Sequence, residues 1–355
     1  MLRRHLIIAV VCALGAARAR ADTLVVPQDF PTIQAALDAA AADDVVLIHG
    51  GLYPESPSRS LPANVTIQGQ GNVRIDATGL GAGLTVDGQG LQIVGVKVIG
   101  GVDGMVIGGT QSVATKCSVS DVSGRGFVLN GTKQKLEHCK VKASGGTGIA
   151  VLSGAQAVLK KCKVSDAAGS GLTIGATCVQ AYVFKLRVLR PGVDGLVNDG
   201  GGGVVAGARV VDAAGRGILD NAPVPQHGNA YVDCTVVKPG AGGLVSISQT
   251  SQLQLGGCII RKPGATGIDV AGAGALVEHC QVMSAGGDGL RIGGSDGTWK
   301  SNSSTKAAGN GFVLDGTGNL LSLDVGKGSG GFDLLDNQPG LNIIADDNDF
   351  GTVGP

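Results

Sequence analysis

A glycine followed by an apolar residue, any residue and usually a second apolar residue recurs twelve times, from Gly83-Leu84 to Gly331-Phe332, at intervals of 20 to 26 residues. The members between them are Gly104-Met105, Gly126-Phe127, Gly148-Ile149, Gly171-Leu172, Gly195-Leu196, Gly217-Ile218, Gly243-Leu244, Gly267-Ile268, Gly289-Leu290 and Gly311-Phe312. Within a unit, short alternating segments joined by Gly-, Asn- or Asp-containing turns, as in residues 157–171, leave no room for a helix. A unit of this length cannot bury its apolar face alone, so neighbours must stack and share one core. Glycine, 62 of 355 residues, has no Gly-X-Y period, which excludes a collagen helix and implies many tight turns.

At about 4.8 Å per stacked strand, twelve coils make a rod some 55 to 60 Å long. This is an all-β, single-stranded parallel β-helix; the Leu-x-x-Leu-x-Leu-x-x-Asn frame of leucine-rich repeats is absent. The organisation expected is a secretory signal over residues 1–21, a cap helix and first irregular coils over 22–80, repeats over 81–340, and a last coil or loose acidic tail over 341–355. The signal rests on Arg3, Arg4 and His5, an apolar run from Leu6, and Ala19-Arg20-Ala21 as cleavage site. It predicts a secreted, periplasmic or cell-surface protein. Glycine and charged residues interrupt every later apolar run, so no membrane span is expected. The rod's first end needs a cover. Residues 29–44 supply one, with Pro31 in a first helical turn and Ile33, Ala36, Leu37 and Ala40 as an apolar stripe.

The same residues carry a resemblance. Thr32-Ile33-Gln34-Ala35-Ala36, a β-strand, and Gly51-Leu52-Tyr53-Pro54-Glu55, followed by glycine-anchored coils, resemble the opening of proteins in the pectin-lyase-like superfamily, and of pectin methylesterases in particular. The resemblance implies a right-handed parallel β-helix over nearly the whole chain. It implies no single activity, because the superfamily holds esterases, lyases, hydrolases, epimerases and proteins without a known reaction. The later methylesterase signatures Gln-Asp-Thr-Leu, Asp-Phe-Ile-Phe-Gly and Gly-Arg-Pro-Trp are missing, as are Asn-Thr-Asp and Gly-His-Gly of polygalacturonases. Gln226-His227-Gly228-Asn229 is no equivalent, so no catalytic residue is carried over.

Nine residues before an anchoring glycine stand Cys117, Cys139, Cys162, Cys234, Cys258 and Cys280, with Leu186, Ala208, Asn302 and Ser322 at the same slot elsewhere. Apolar or small occupancy at a fixed slot marks an inward ladder, and free cysteine packs as a small hydrophobe. Stacked cysteines would bring Cα atoms into disulfide range, but parallel Cβ vectors oppose the required torsion, so reduced packing is favoured. Cys178 lies off the slot, as an isolated thiol. His138 and His279 precede the slot, and strand alternation turns them away from the cysteines, so Glu137-His138-Cys139 and its repeat at residues 278–280 are not metal sites. No metal and no cofactor is predicted.

The slot after the cysteine aligns Lys140, Lys163, Arg187 and Arg209 in four successive coils, and the slot before it adds Lys116, His138, Lys161 and Lys185. Between Lys116 and Arg209 there are thirteen Lys or Arg against five Asp or Glu, although formal net charge is zero. From residue 310 onward the balance reverses, with seven Asp and only Lys327. Neutral overall charge gives nucleic acid no support as a partner. A line of cations at strand spacing suits a linear polyanion such as a uronate polysaccharide, with Arg able to make bidentate carboxylate contacts; the alternative is a merely solvated face. The leading expectation is non-catalytic binding of an anionic polysaccharide through this face. A polysaccharide lyase or epimerase with Lys163 and Arg187 at its centre is a second, since no close pair of carboxylates is specified: Asp121 and Asp166 fall two coils apart, and Asp103, Asp194 and Asp288 lie in distant coils. A structural rod is a third, binding a protein partner or itself through the outward row Val106, Val128, Ala150, Thr173, Val197, Leu219 and Val245. Aromatics at 3% of the chain argue against a neutral-sugar platform. Asn130-Gly131-Thr132 and Asn302-Ser303-Ser304 have the form of glycosylation acceptors in a eukaryotic host.

Overall fold

A computed structural model of the chain describes residues 21–222, 228–248 and 252–354. The expected signal lies, apart from Ala21, outside the described residues, as do Gln226 and His227. Strands stack in parallel register into three ladders, one strand of each per regular coil. The first ladder follows the anchoring glycines and forms a 14-stranded sheet; the other two share the long strand Thr66–Asp76 and so make one 27-stranded sheet. In one coil the three strands are Ile149–Ser153, Val158–Lys160 and Lys163–Ser165.

Fourteen first-ladder strands, in about 15 turns, exceed the twelve coils expected. The additional strands, Ser58–Ser60 and Val353–Gly354, lie at the ends, where the coil lacks the glycine signature. The glycines mark a steric pinch. A Cβ on Gly148 would stand 2.3 Å from Val164 Cγ1 and 2.8 Å from the Gly171 carbonyl oxygen; on Gly171, 2.3 Å from Val188 Cγ1 and 2.6 Å from the Gly195 oxygen. At these anchors the first ladder runs against the valines of the third, and only a residue without a side chain fits.

One anchor is corrected. Phe312 pairs with Leu334, so Asp333 rather than Gly331 holds the last anchor position, and Phe332 is exposed. Phe312 to Leu334 is 22 residues, the same as Leu290 to Phe312, so the coil keeps its length and the Gly331-Phe332 motif falls two residues ahead of the structural position. The corresponding slot residue is therefore Asp324, not Ser322.

Corners are built from left-handed residues at five-residue steps, such as Lys133, His138 and Ala143 with φ of 56°, 55° and 53°. Each step reads as an inward residue, an out-in-out strand and a left-handed corner. His138 and His279 are exposed, as expected, but the cause is this corner geometry rather than strand alternation. A non-glycine residue there costs about 1–2 kcal/mol. Backbone hydrogen bonds between coils offset the cost: His138 N–H donates to the Lys160 carbonyl at 3.0 Å and Lys161 N–H to Phe184 at 2.8 Å.

The six slot cysteines are buried and free, and Cys178 is buried and free as well. Neighbouring thiols of Cys117 and Cys162, together with burial, push the Cys139 thiol up. Toward the C-terminus the ladder changes to Asn302, Asp324 and Asn348, linked by bonds from Asn302 N–H to Asp324 Oδ1 (2.7 Å) and from Asp324 N–H to Asn348 Oδ1 (2.8 Å). Asn302 is 1% exposed, so the sequon there is not a surface acceptor.

The N-terminal helix α1, Ile33–Ala39, buries Ile33, Ala36 and Leu37 on the first coils. Thr32 is its N-cap, which places Pro31 before the helix and not in its first turn. Glu55 accepts from Ile33 N–H at 2.9 Å and Gln34 N–H at 3.0 Å. The Gly-x-Tyr-x-Glu element therefore closes the helix N-terminus, satisfying donors the helix leaves open. Glu55→Ala is expected to lower unfolding stability by about 0.5–2 kcal/mol, with early exchange of the α1 amides by hydrogen exchange; unchanged protection there would refute the capping role.

Candidate functional site

The third ladder brings the expected cations into one row. Cα register pairs Lys140 with Lys163, Lys163 with Arg187 and Arg187 with Arg209. In the other direction the row continues through Ser118 and Lys97 to Arg74. Arg74 and Lys97 escape sequence reasoning because their two coils have no cysteine, and the slot residues Val73 and Val96 stand ten and eight rather than nine residues before Gly83 and Gly104. Six cations in seven coils span about 29 Å at strand spacing. Thr235 ends the row.

Beside it runs the corner row Lys116, His138, Lys161 and Lys185, all left-handed and exposed. The left-handed corner turns these side chains out next to those of the third ladder, so two cation rows lie along one edge of the rod.

What separates these cations from many others in the molecule is the lack of a counter-charge. Arg125 is held by Asp103 at 2.8 Å, Arg190 by Asp166 at 2.8 Å, Arg216 by Asp194 at 3.1 Å and Arg291 by Asp315 at 2.7 Å. Among the described residues, Lys116, Lys140, Lys161, Lys163, Lys185, Arg187 and Arg209 make no ion pair. Lys97 Nζ donates to Asn72 Oδ1 at 2.6 Å, a neutral partner. Glu137, next to His138 in the chain, is engaged by Lys135 (2.7 Å) and Lys160 (3.3 Å), whose hydrogen bonds hold its pKa down at about 2. A string of like charges without partners raises the local potential and attracts an anion with matching repeat.

The row has one gap. Ser118 stands between Lys97 and Lys140, and its short side chain opens a hollow of about 400 Å³ lined by Lys97, Lys116, Cys117, Ser118, His138 and Lys140. Further along, Tyr182 and Phe184 project from one strand with ring centroids 6.4 Å apart and planes 2° from parallel; Phe184 pairs with Lys160. This pair was not singled out by composition, and alternation within the strand is the signal that marks both as outward.

A family model described as the right handed beta helix region matches residues 82–244. The chain has a right-handed parallel β-helix fold. Among solved structures, this β-helix is similar to an alginate lyase from Paenibacillus sp. str. FPU-7, at 15% identity over 67% of this chain and 93% of that one, TM-score 0.56. It is also similar to the catalytic unit of a thermostable GH87 alpha-1,3-glucanase from Streptomyces thermodiastaticus strain HF3-3, at 16% identity over 90% and 66%, TM-score 0.57. A third is the receptor-binding protein of bacteriophage Det7, a podoviral tailspike, at 11% identity over 93% and 76%, TM-score 0.55. At these identities the likeness concerns the fold. Comparison of the sequence with curated proteins finds no match.

On the β-helix's first ladder the apolar row assembles in register from Val106 to Val245. Val128 and Ala150 are 2% exposed and Leu219 7%, while Val106, Thr173, Val197 and Val245 are half-buried. Side chains stacked at strand spacing cover one another. The row then turns charged, to Asp269 and Arg291.

There the β-helix assembles a group that spacing had hidden. Arg291 donates to Asp315, and both Asp288 and Asp315 lie close enough to act on Asp269, whose carboxyl is raised by burial. Asp288 accepts from Asn310 N–H at 2.8 Å, and Asp315 from Asn337 at 2.6 Å. So Asp288, expected to be isolated, has acidic neighbours from adjacent coils.

Inside the β-helix, Asp220 accepts from Asn229 (2.7 Å), Tyr231 (2.9 Å) and Ser246 (2.9 Å), and burial pushes its carboxyl up. It is 0% exposed, and the network braces adjacent coils. Among the described residues no group of three or more His, Cys, Asp or Glu is placed to hold a metal ion, and no helix is long and apolar enough to cross a membrane.

Proposed function

We propose that this β-helix is an exported protein that binds an anionic polysaccharide, of the uronate class, along the row from Arg74 to Arg209. The observation that carries the reading is the line of exposed cations in successive coils without carboxylate partners. Several solved relatives by fold act on or recognise carbohydrate, an alginate lyase among them, which supports a glycan as partner. A uronate chain repeats a carboxylate with every ring, and a ladder of strands repeats a cation with every coil. Lys97, Lys140 and Lys163 supply point charges and Arg74, Arg187 and Arg209 planar forks, so the middle of the row and its ends differ in how they grip a carboxylate.

Retention of the full chain on an immobilised polyuronate tests this. Lys163→Ala with Arg187→Ala is expected to weaken it roughly three- to thirtyfold, as for two exposed ion contacts of ~0.3–1 kcal/mol each, and to flatten its salt dependence. Unchanged retention refutes the row.

A second reading, a lyase or epimerase, is favoured by one observation: the raised carboxyl of Asp269 beside Arg291, an acid next to a cation. Unsaturated or epimerised product in the same incubation, lost in Asp269→Asn and kept in the Lys163/Arg187 double variant, would decide for it.

A further inference from the structure

The cation row is interrupted only once between Arg74 and Arg209, and the interruption coincides with the hollow. A purely electrostatic strip has no use for a serine at its centre. Every other position from Arg74 to Arg209 shows that this backbone accepts a long cationic side chain, so the serine is not imposed by packing. Ser118 is half-buried, and its hydroxyl has no hydrogen-bond partner among the described residues.

Around it the donors converge from three coils. Lys97 and Lys140 flank Ser118 in register, one coil to either side. Lys116 and His138 enter from the corner row, aimed outward by their left-handed backbones at φ 55°. No carboxylate lines the hollow. The volume of about 400 Å³ lies within the range of pockets that hold a small organic ligand, and well above what a bare ion fills.

We propose that the Ser118 hollow is a subsite for one anionic sugar ring: the ring sits over Ser118, its carboxylate is held by Lys97, Lys116 and Lys140, and a ring hydroxyl pairs with the Ser118 hydroxyl. This rests on the polysaccharide reading and refines it. The row supplies attraction along the chain, and the hollow sets the register at which the glycan stops sliding. Specificity arises because a polyanion without rings gains the charge but cannot use the cavity.

Two lysine insertions separate the claims. Ser118→Lys completes the row and fills the hollow; Thr235→Lys extends the row beyond Arg209 and leaves the hollow open. Affinities of the full chain for a polyuronate and for inorganic polyphosphate would be measured by calorimetry, with melting curves to confirm folding. For the polyuronate, Ser118→Lys is expected to weaken binding by about tenfold, against the sign of the added charge, whereas Thr235→Lys strengthens it. For polyphosphate both variants are expected to bind more tightly than the parent. If Ser118→Lys strengthens both ligands as Thr235→Lys does, the hollow is no subsite and the row alone carries binding. If neither variant alters binding to either polymer, and Lys163→Ala with Arg187→Ala is also silent, the row itself is refuted and the subsite with it.

Discussion

Gly148→Ala is expected to destabilise the rod by an amount at the upper end of the ~1–3 kcal/mol typical of overpacking. The new methyl would meet Val164 Cγ1 at 2.3 Å and the Gly171 carbonyl oxygen at 2.8 Å, and only the first of these can be relieved by a side chain. Gly148→Ala combined with Val164→Ala therefore recovers part of the loss and no more, because the Gly171 oxygen belongs to the next coil's backbone. Urea midpoints of the single and double variants measure this, and a positive coupling between the two sites is the expected sign. An alanine at Gly148 that leaves the midpoint unmoved would refute the pinch as the reason for the repeat.

The second large effect concerns the buried ladder near the C-terminal end. Asp324 is 0% exposed; its Oδ1 accepts from Asn302 N–H and Nδ2, at 2.7 and 3.0 Å, while its buried Oδ2 has no partner. Burial raises its pKa from 3.8 to about 6. Because the folded chain holds this proton more tightly than the unfolded one, the contribution is complete below about pH 4. It falls as pH rises through about 6, and it is flat above. A shift of about two units corresponds to a loss on the order of 2–3 kcal/mol.

Asp324→Asn is expected to abolish that slope and to be more stable than the parent above pH 7 by a similar amount. The neighbours show why an amide fits. Asn302 Nδ2 donates to the Val277 carbonyl at 2.9 Å and Asn348 Nδ2 to Leu321 at 3.0 Å. Trp299 lies between Val277 and Leu321 in register, so its carbonyl is the acceptor for an amide at 324. Stability of parent and variant from pH 4 to 8 gives the test as a difference, which cancels other titrating groups. A variant less stable than the parent at pH 8 would overturn it.

What the sequence by itself determined is the solenoid and its inside. Anchor glycines and slot cysteines recur at nearly constant distance because every coil must repeat the same pinch and fill the same lumen, so the constraint is written once per turn. The four cations Lys140, Lys163, Arg187 and Arg209 were legible because they ride next to that slot. Where coils change length the count misses Arg74 and Lys97, and where a coil of ordinary length carries no glycine at its anchor the motif points to Gly331 in place of Asp333.

Only the tertiary structure decided what stands beside what on the outer surface. Left-handed corners at Lys116, His138, Lys161 and Lys185 break strand alternation, and lysine carries no compositional sign of that conformation. Ion pairing is likewise a matter of coil-to-coil distance: Asp103 and Arg125, 22 residues apart, meet because one turn separates them, while Lys140, Lys163, Arg187 and Arg209 have one another as register neighbours. Ser118 in the sequence is one serine of many. It becomes a hollow only when two neighbouring coils set Lys97 and Lys140 on either side of it.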